Sequence, residues 1–200
     1  MNILLHTCCA VCLAGTAEEL RRRKIKFTAF FFNPNVQPLL EFRRRVKATR
    51  VLCDRLKLPI EVDETYGLVE FLRATSGRED APARCEICYR TRLSRTAERA
   101  KALGFDAFST TLLASPEQDL ALIRRIASEE AARGRKVTGT LTPSGCLSPF
   151  FHDLDLAGAH EAGEEFARKY NIYRQQYCGC VFSEYDRYKN TRDEVWRLED

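Results

Sequence analysis

Short apolar and aromatic runs recur along the chain, and amphipathic stretches of helical period fill the intervals between them. NILLHT (2–7) hands over to a helix near 10–23 with Ala14, Ala17 and Leu20 on one face. IKFTAFFFN (25–33) is a second strand that stops at Asn33-Pro34-Asn35. PLLEFRRRVKATRVLCDRLKL (38–58) then places Leu39, Phe42, Val46 and Leu52 in phase on a helix. PIEVD (59–63) reads as a third strand, followed by a helical piece near 67–74 and the polar stretch ATSGREDAPARC (74–85). The next helix, EICYRTRLSRTAERAKALG (86–104), turns Leu93, Ala97 and Ala100 inward and stops at Gly104. FDAFSTTLL (105–113) is a fourth strand. Ser115, Pro116 and Gln118 spell a capping box for a helix carrying Leu122, Ile123 and Ile126. RKVTGTLTPSGCLSPFFHDLD (135–155) reads as mostly irregular, a helix near 158–169 follows, and the C-terminal segment reads as irregular.

Strands alternating with helices predict an α/β chain with a doubly wound, mainly parallel sheet and helices on both faces. With 200 residues, 44% of them hydrophobic, one domain over 1–200 accounts for the whole pattern. Ligands of such sheets bind beyond the carboxyl ends of the strands. Cys8 and Cys9, the Asn33-Pro34-Asn35 turn, Asp63, and Thr110 with Thr111 all fall there, so one site is predicted from distant segments.

Nine cysteines, an odd count, argue against a closed disulfide framework. The start has no basic leader pattern, and no run approaches the ~18 apolar residues of a membrane span, so a cytoplasmic location away from membranes is expected. Thiols stay reduced there, and clustered ones point to metal or redox chemistry. Cys53 reads as a plain buried helix thiol, and Cys146 is ambiguous. The other seven form three groups: Cys8, Cys9 and Cys12; Cys85 and Cys88; Cys178 and Cys180. Cys8, Cys9, Cys85 and Cys88 together supply four soft ligands for a [4Fe–4S] cluster or for zinc, although adjacent cysteines are unusual in zinc ribbons. Cys178 and Cys180, one glycine apart, suit a redox-active disulfide or two further metal ligands. His6 shares a strand face with Cys8 and reads as a hydrogen-bonded strand histidine, with a ligand or proton-transfer role as the alternative. His152 and His160 belong to no motif.

Net charge is only +4, but basic residues are clumped at 21–24, 43–50 and 90–99. Each clump is either a solvated helix face or a phosphate-contacting surface.

Taken in order, HTCCAVC (6–12), FFNPNVQP (31–38) with Glu41 after it, CEICYRTRL (85–93), FDAFSTTLLASPEQ (105–118) and NIYRQQYCGCVFS (171–183) resemble the motifs of the epoxyqueuosine reductases of the QueH family. The likeness covers most of the chain. Val11 stands where that family usually has proline, and FFHDLDLAGAHEAG (150–163) replaces its glycine- and tyrosine-containing stretch. The resemblance implies a Rossmann-like, HUP-like sheet and the last step of queuosine synthesis. In that step the epoxide of epoxyqueuosine, at the wobble position of tRNA, is reduced to the cyclopentene without cobalamin.

That chemistry needs two electrons, two protons and an oxygen leaving as water. A [4Fe–4S] cluster delivers electrons singly, so the Cys178/Cys180 pair, or a second iron using Cys12, is expected to assist, together with an external electron donor. Tyr89, Tyr177 or an open iron site are candidates to assist the leaving oxygen. A wobble nucleoside lies in a single-stranded loop and is read by stacking and edge hydrogen bonds, for which Asn33, Asn35, Arg90, Arg92 and the aromatics around 173–177 are candidates. The competing classes are another iron–sulfur or thiol-dependent tRNA-modifying oxidoreductase and a zinc-stabilised RNA-binding module. An ATP-dependent enzyme would want a glycine- and serine-rich loop where TCCAVC (7–12) stands.

Overall fold

The computed structural model describes residues 1–136 and 148–191. Five parallel strands form one sheet in the order β3-β2-β1-β4-β5. They are β1 (Asn2–His6), β2 (Lys26–Phe31), β3 (Ile60–Val62), β4 (Ala107–Thr110) and β5 (Phe150–Phe151). The central strand β1 pairs Asn2 to His6 with Lys26 to Phe30 on one side and Ile3 to His6 with Ala107 to Thr110 on the other. Ile3, Leu4 and Leu5 are fully buried, as a strand covered on both faces requires.

The helices are α1 (Ala10–Arg22), α2 (Leu39–Leu56), α3 (Leu68–Thr75), α4 (Ala83–Ala102), α5 (Leu120–Lys136), α6 (Ala159–Lys169) and α7 (Val181–Tyr188). One face of the sheet carries α1, with α2 and α6 against it; the other carries α4, with α5. After β3 the chain crosses back and adds β4 on the far side of β1, so the direction of winding reverses between β1 and β4. A crevice at the carboxyl ends is the geometric result. None of the described helices is long and apolar enough to cross a membrane.

α1 and α6 approach at backbone distance. A Cβ on Gly15 would stand 1.7 Å from the Ala159 carbonyl oxygen, and one on Gly163 would stand 2.1 Å from that of Val11. Only glycine at both positions lets the helices meet this closely.

Four local expectations are corrected. The Ser115 capping box does not open α5. The strand ends at Thr110, a 3-10 turn occupies Thr111–Ala114, and Asp119 Oδ1 accepts the Leu122 amide instead. Ser115 Oγ accepts only the Glu117 amide, in a turn. Leu39 lies at the exposed start of α2 and does not join Phe42, Val46 and Leu52 in the interior. The irregular 135–155 stretch contains β5, too short to show a period of two. The C-terminal segment is irregular only to Cys180, which caps α7; that helix buries no residue fully, so its periodicity carries little signal. Cys53 is the plain buried thiol expected, pushed by burial to about 12. Cys146 and the charged tail beyond Thr191 lie outside the described residues.

A cysteine-lined cavity at the carboxyl edge of the sheet

Past β1 the Thr7 amide still donates to the Phe30 carbonyl, and from Cys8 a side chain takes the place of the ladder. The Cys8 amide donates to Thr111 Oγ1 at 3.0 Å, and the Thr111 hydroxyl donates to Cys8 Sγ at 3.2 Å. Cys9 has extended backbone and caps α1, its sulfur accepting the Cys12 amide at 3.4 Å. The cap turns the chain so that the sulfurs of Cys8, Cys9 and Cys12 lie within 4.8 Å of one another. Gln175 donates its amide to Cys9 Sγ at 3.0 Å. His160 Nδ1 stands 3.9 Å from Cys12 Sγ, delivered by the close α1–α6 packing.

The electrostatics of the triad are uneven. Hydrogen bonds with the Cys12 and Cys8 thiols and from the Cys12 amide, with Arg45 behind them, hold the Cys9 thiol well below the usual cysteine range despite its burial. Cys12 favours the thiolate at Cys8, yet the bond to Cys9 and burial push Cys8 up to about 11. Cys12 itself is raised by its bonds to Cys8 and Cys9 and by burial. Negative charge is therefore favoured at Cys9 over its two neighbours, and the three clustered sulfurs form a soft donor set.

Cys85 sits in the first turn of α4 and Cys88 one turn further on. Burial pushes Cys88 up to about 12, opposed by Arg92, whose Nη2 donates to its sulfur at 3.1 Å. Burial raises Cys85 as well, and the charges of Cys178 and Cys180 add to the effect.

The loop 177–180 is clamped from α2. Arg45 donates to the carbonyls of Cys178 (2.8 Å) and Tyr177 (2.9 Å) while pairing with Glu41 at 2.6 Å. Tyr173 donates its hydroxyl to the other Glu41 oxygen. The Gln37 amide donates to the Gly179 carbonyl, and Gln37 Oε1 accepts the Val181 amide. Gly179 has φ +144°, and a Cβ there would meet Arg45 Nη1 at 3.0 Å, so both backbone and space demand glycine. Cys178 accepts the Gln118 amide at 3.2 Å, and Cys180 accepts the Ser183 amide at 3.4 Å as the cap of α7.

All three cysteine groups line one cavity of about 470 Å³. Cys85 and Cys88 face it without joining the 4.8 Å triad. Residues at the N-terminal ends of three helices line it: Cys9, the cap of α1, Cys85, in the first turn of α4, and Cys180, the cap of α7. The dipoles at these helix ends favour negative charge there.

The remaining sequence-predicted residues are dispersed. His6 is fully buried, sharing Nδ1 with Thr110 Oγ1 and Nε2 with the Phe32 carbonyl; burial and the Arg92 charge lower it to about 3. It ties three strand ends together as a neutral ring. Asn33 donates to the Thr7 carbonyl, while Asn35 lines the cavity with Oδ1 unpartnered among the described residues. Arg92 lines the cavity from within; Arg90 does not, being held outside it by Glu86, Glu129 and Glu130. Tyr89 is buried, lines the cavity and accepts the Asp119 amide on its hydroxyl oxygen. Tyr177 lines it too, but donates its hydroxyl to the Gln37 carbonyl at 2.6 Å. Burial raises both phenols above their ordinary range.

The sequence reading missed Arg45, Gln118, Gln175 and His160, whereas Thr111 stands at the strand end where it was expected, bonded to Cys8. Gln118 had an apparent local use as a cap, and no local pattern marks His160. Of the basic clumps, Arg22 and Arg23 pair with Glu19, Arg50 with Glu64, Arg95 with Asp63 and Arg99 with Glu61. Arg43, Arg44 and Lys47 form an exposed row on α2.

A family model described as Epoxyqueuosine reductase QueH matches residues 3–186. A protein of that name from Thermotoga maritima is 34% identical over 187 residues, covering 91% of this chain and 90% of the relative. One from Dehalococcoides mccartyi is 32% identical, covering 94% of each. Another from Streptococcus pyogenes serotype M1 is 31% identical, over 91% of this chain and 70% of the relative. With that length of match on a chain whose cysteines meet in one cavity, the chain belongs to the epoxyqueuosine reductase QueH family, and its reaction is the reduction of epoxyqueuosine to queuosine.

Proposed function

We propose that the reduction takes place in the cysteine-lined cavity, without cobalamin, and that Cys8, Cys9, Cys85 and Cys88 would hold a [4Fe–4S] cluster there as the source of single electrons. The observation that carries this reading is the convergence of three separate cysteine groups and three helix N-termini on one cavity. The donor set suits the cofactor: soft thiols in one cavity, with Cys8 and Cys9 beside the N-terminus of α1 and Cys85 and Cys88 in the first turns of α4. When bound, the cluster supplies electrons one at a time. Cys12 remains as the third thiol of the tight group and, beside His160, is available to a second iron.

The chain's own residues complete the chemistry. Cys178 and Cys180 are free thiols in the cavity wall, held by the Arg45 and Gln37 clamp. Oxidation of this dithiol breaks two S–H bonds, forms one S–S bond and releases two electrons and two protons. Those are the electrons and protons that turn an epoxide into an alkene and water, with both C–O bonds broken. An external electron donor then restores the dithiol. Tyr89 assists the leaving oxygen: its hydroxyl proton has no acceptor among the described residues, whereas that of Tyr177 is committed to Gln37. Asn35, which lines the cavity and whose buried Oδ1 has no partner among the described residues, is the side chain assigned to read the extruded nucleoside. The family's reaction implies a tRNA substrate, and the Arg43, Arg44 and Lys47 row is its backbone contact.

Anaerobic purification tests the cofactor. A brown protein with iron and sulfide is expected, and serine at Cys8, Cys9, Cys85 or Cys88 is expected to lower both and abolish reduction. A colourless, zinc-loaded wild type, or full iron in two of these variants, would sink the assignment.

A further inference from the structure

Among the described residues two arginines are buried to within 2% of full exclusion from solvent, Arg45 and Arg92, and they are treated differently. Arg45 meets the Glu41 carboxylate at 2.6 Å. Arg92 has no carboxylate within ion-pair distance among the described residues. Its Nη2 donates to Cys88 Sγ at 3.1 Å, its Nε to the Cys88 carbonyl at 3.3 Å, and its guanidinium carbon lies 5.7 Å from the centre of the Tyr89 ring.

An arginine does not shed its proton in a protein, so its charge persists however deeply it is buried. A buried charge without a counter-charge is among the costliest arrangements a fold can hold. The compensating anion therefore has to come from the cavity that Arg92 lines, and the groups nearest it there are sulfurs. Cys88, Cys178 and Cys8, one from each cysteine group, are the groups whose thiolates would act on it most strongly. Metal binding deprotonates thiols and so creates negative charge on this wall.

We infer that Arg92 is the fixed counter-cation of the metal–thiolate group: a positioning residue that offsets its negative charge and holds its reduction potential up. The inference rests on the iron–sulfur reading above. Two effects act in the same direction. A buried cation favours the more negative, reduced state of a cluster, and a hydrogen bond to a ligand sulfur withdraws electron density from it. Arg92 supplies both through one side chain. It does not need to touch the substrate to do so.

The test uses the full chain as wild type, Arg92→Gln, which removes the charge but keeps a donor, and Arg92→Lys, which keeps the charge. Each protein is loaded anaerobically with iron and sulfide and titrated reductively, with absorbance and electron paramagnetic resonance as readouts. At equal iron content, Arg92→Gln is expected to show a lower reduction potential than wild type, with Arg92→Lys in between. Melting of metal-free and metal-loaded proteins provides a second readout. Without metal, Arg92→Gln should melt at or above wild type, because an unpaired buried charge has been removed. Loading should then raise the melting temperature of wild type by more than that of the variant. An unchanged potential in Arg92→Gln would overturn the inference while leaving the cluster assignment intact. Metal-free Arg92→Gln that melts well below metal-free wild type would overturn it too, making Arg92 a packing residue. If wild type takes up zinc in place of a cluster, the iron–sulfur reading fails alone, and the melting comparison still decides the counter-cation role. A wild type that binds no metal would overturn both.

Discussion

Gly163→Ala tests how the cavity is assembled without touching any group in it. A Cβ at residue 163 would lie 2.1 Å from the Val11 carbonyl oxygen, 3.0 Å from its carbon and 3.3 Å from the Gly15 amide nitrogen. Ordinary contact lies near ~3.5 Å, so α6 has to retreat from α1 by about an ångström or more. The obstructing atoms are backbone and cannot swing aside. Alanine gains ~1 kcal/mol over glycine in a helix interior, whereas overpacking a tight contact costs ~1–3 kcal/mol and occasionally more. With backbone on both sides the upper end applies, leaving a net loss of about 2 kcal/mol. For a chain of this length that is a fall in melting temperature of roughly 4–8 °C. Retreat of α6 also carries His160 away from Cys12, which is fully buried at present. Urea unfolding followed by circular dichroism measures the stability, and the rate at which a thiol reagent labels Cys12 measures the separation. Glu165→Ala on the exposed side of α6 is the control, expected within ~0.5 kcal/mol of wild type. A Gly163→Ala protein as stable as wild type, with Cys12 still protected, would refute the close approach and the placement of His160 that follows from it.

Three further outcomes are expected. His6 is lowered to about 3 in the folded chain against 6.5 unfolded, so between those values the unfolded state binds the extra proton. Its contribution is complete above pH 6.5 and is lost as pH falls toward 3, with a slope of up to ~1.4 kcal/mol per pH unit. Metal-free His6→Gln should show a flatter fall in urea midpoint over that window, and an unchanged pH profile would contradict the buried neutral ring. Serine at Cys178 or Cys180 should leave the visible spectrum of the metal-loaded protein intact while stopping multiple turnover, and oxidised wild type should show two fewer free thiols than reduced, mapped to this pair; loss of iron from Cys178→Ser would move this loop into the metal site. Neutralising Arg43, Arg44 and Lys47 should weaken tRNA binding and lower its log–log salt slope by roughly one for each phosphate contact removed. An unaltered affinity and slope would return that row to a solvated helix face.

Much of the fold was legible because it is written in local periodicity. β1, β2 and β4 are runs whose apolar content answers to a sheet covered on both faces, β3 is a short half-buried strand, and α1, α2 and α4 carry a face that repeats at helical spacing. The cysteine groups were legible for the same reason, since adjacent, x-x and x spacings are local facts. Where local signals competed, the reading failed. Ser115 and Gln118 satisfy a capping pattern, but the tighter 3-10 turn after Thr110 spends that stretch and Asp119 takes over as the cap. Two-residue β5 and lightly buried α7 are too weakly patterned to announce themselves.

The sequence by itself determined a parallel α/β sheet, the edge at which its chemistry gathers, and the thiol character of that chemistry. Only the tertiary structure decided which groups face one another. Arg90 and Arg92 stand two residues apart on α4, nearly opposite around the helix, and it is the docking of α4 on the sheet that sends Arg92 to the sulfurs and Arg90 to Glu86, Glu129 and Glu130. Cys12 joins Cys8 and Cys9 because the Cys9 cap starts a helix there, and His160 reaches Cys12 because two glycines let α6 settle on α1. Periodicity fixes direction along an element, whereas the distances that make a site are set by how elements pack. That packing depends on residues such as Gly15 and Gly163 that carry no chemistry of their own.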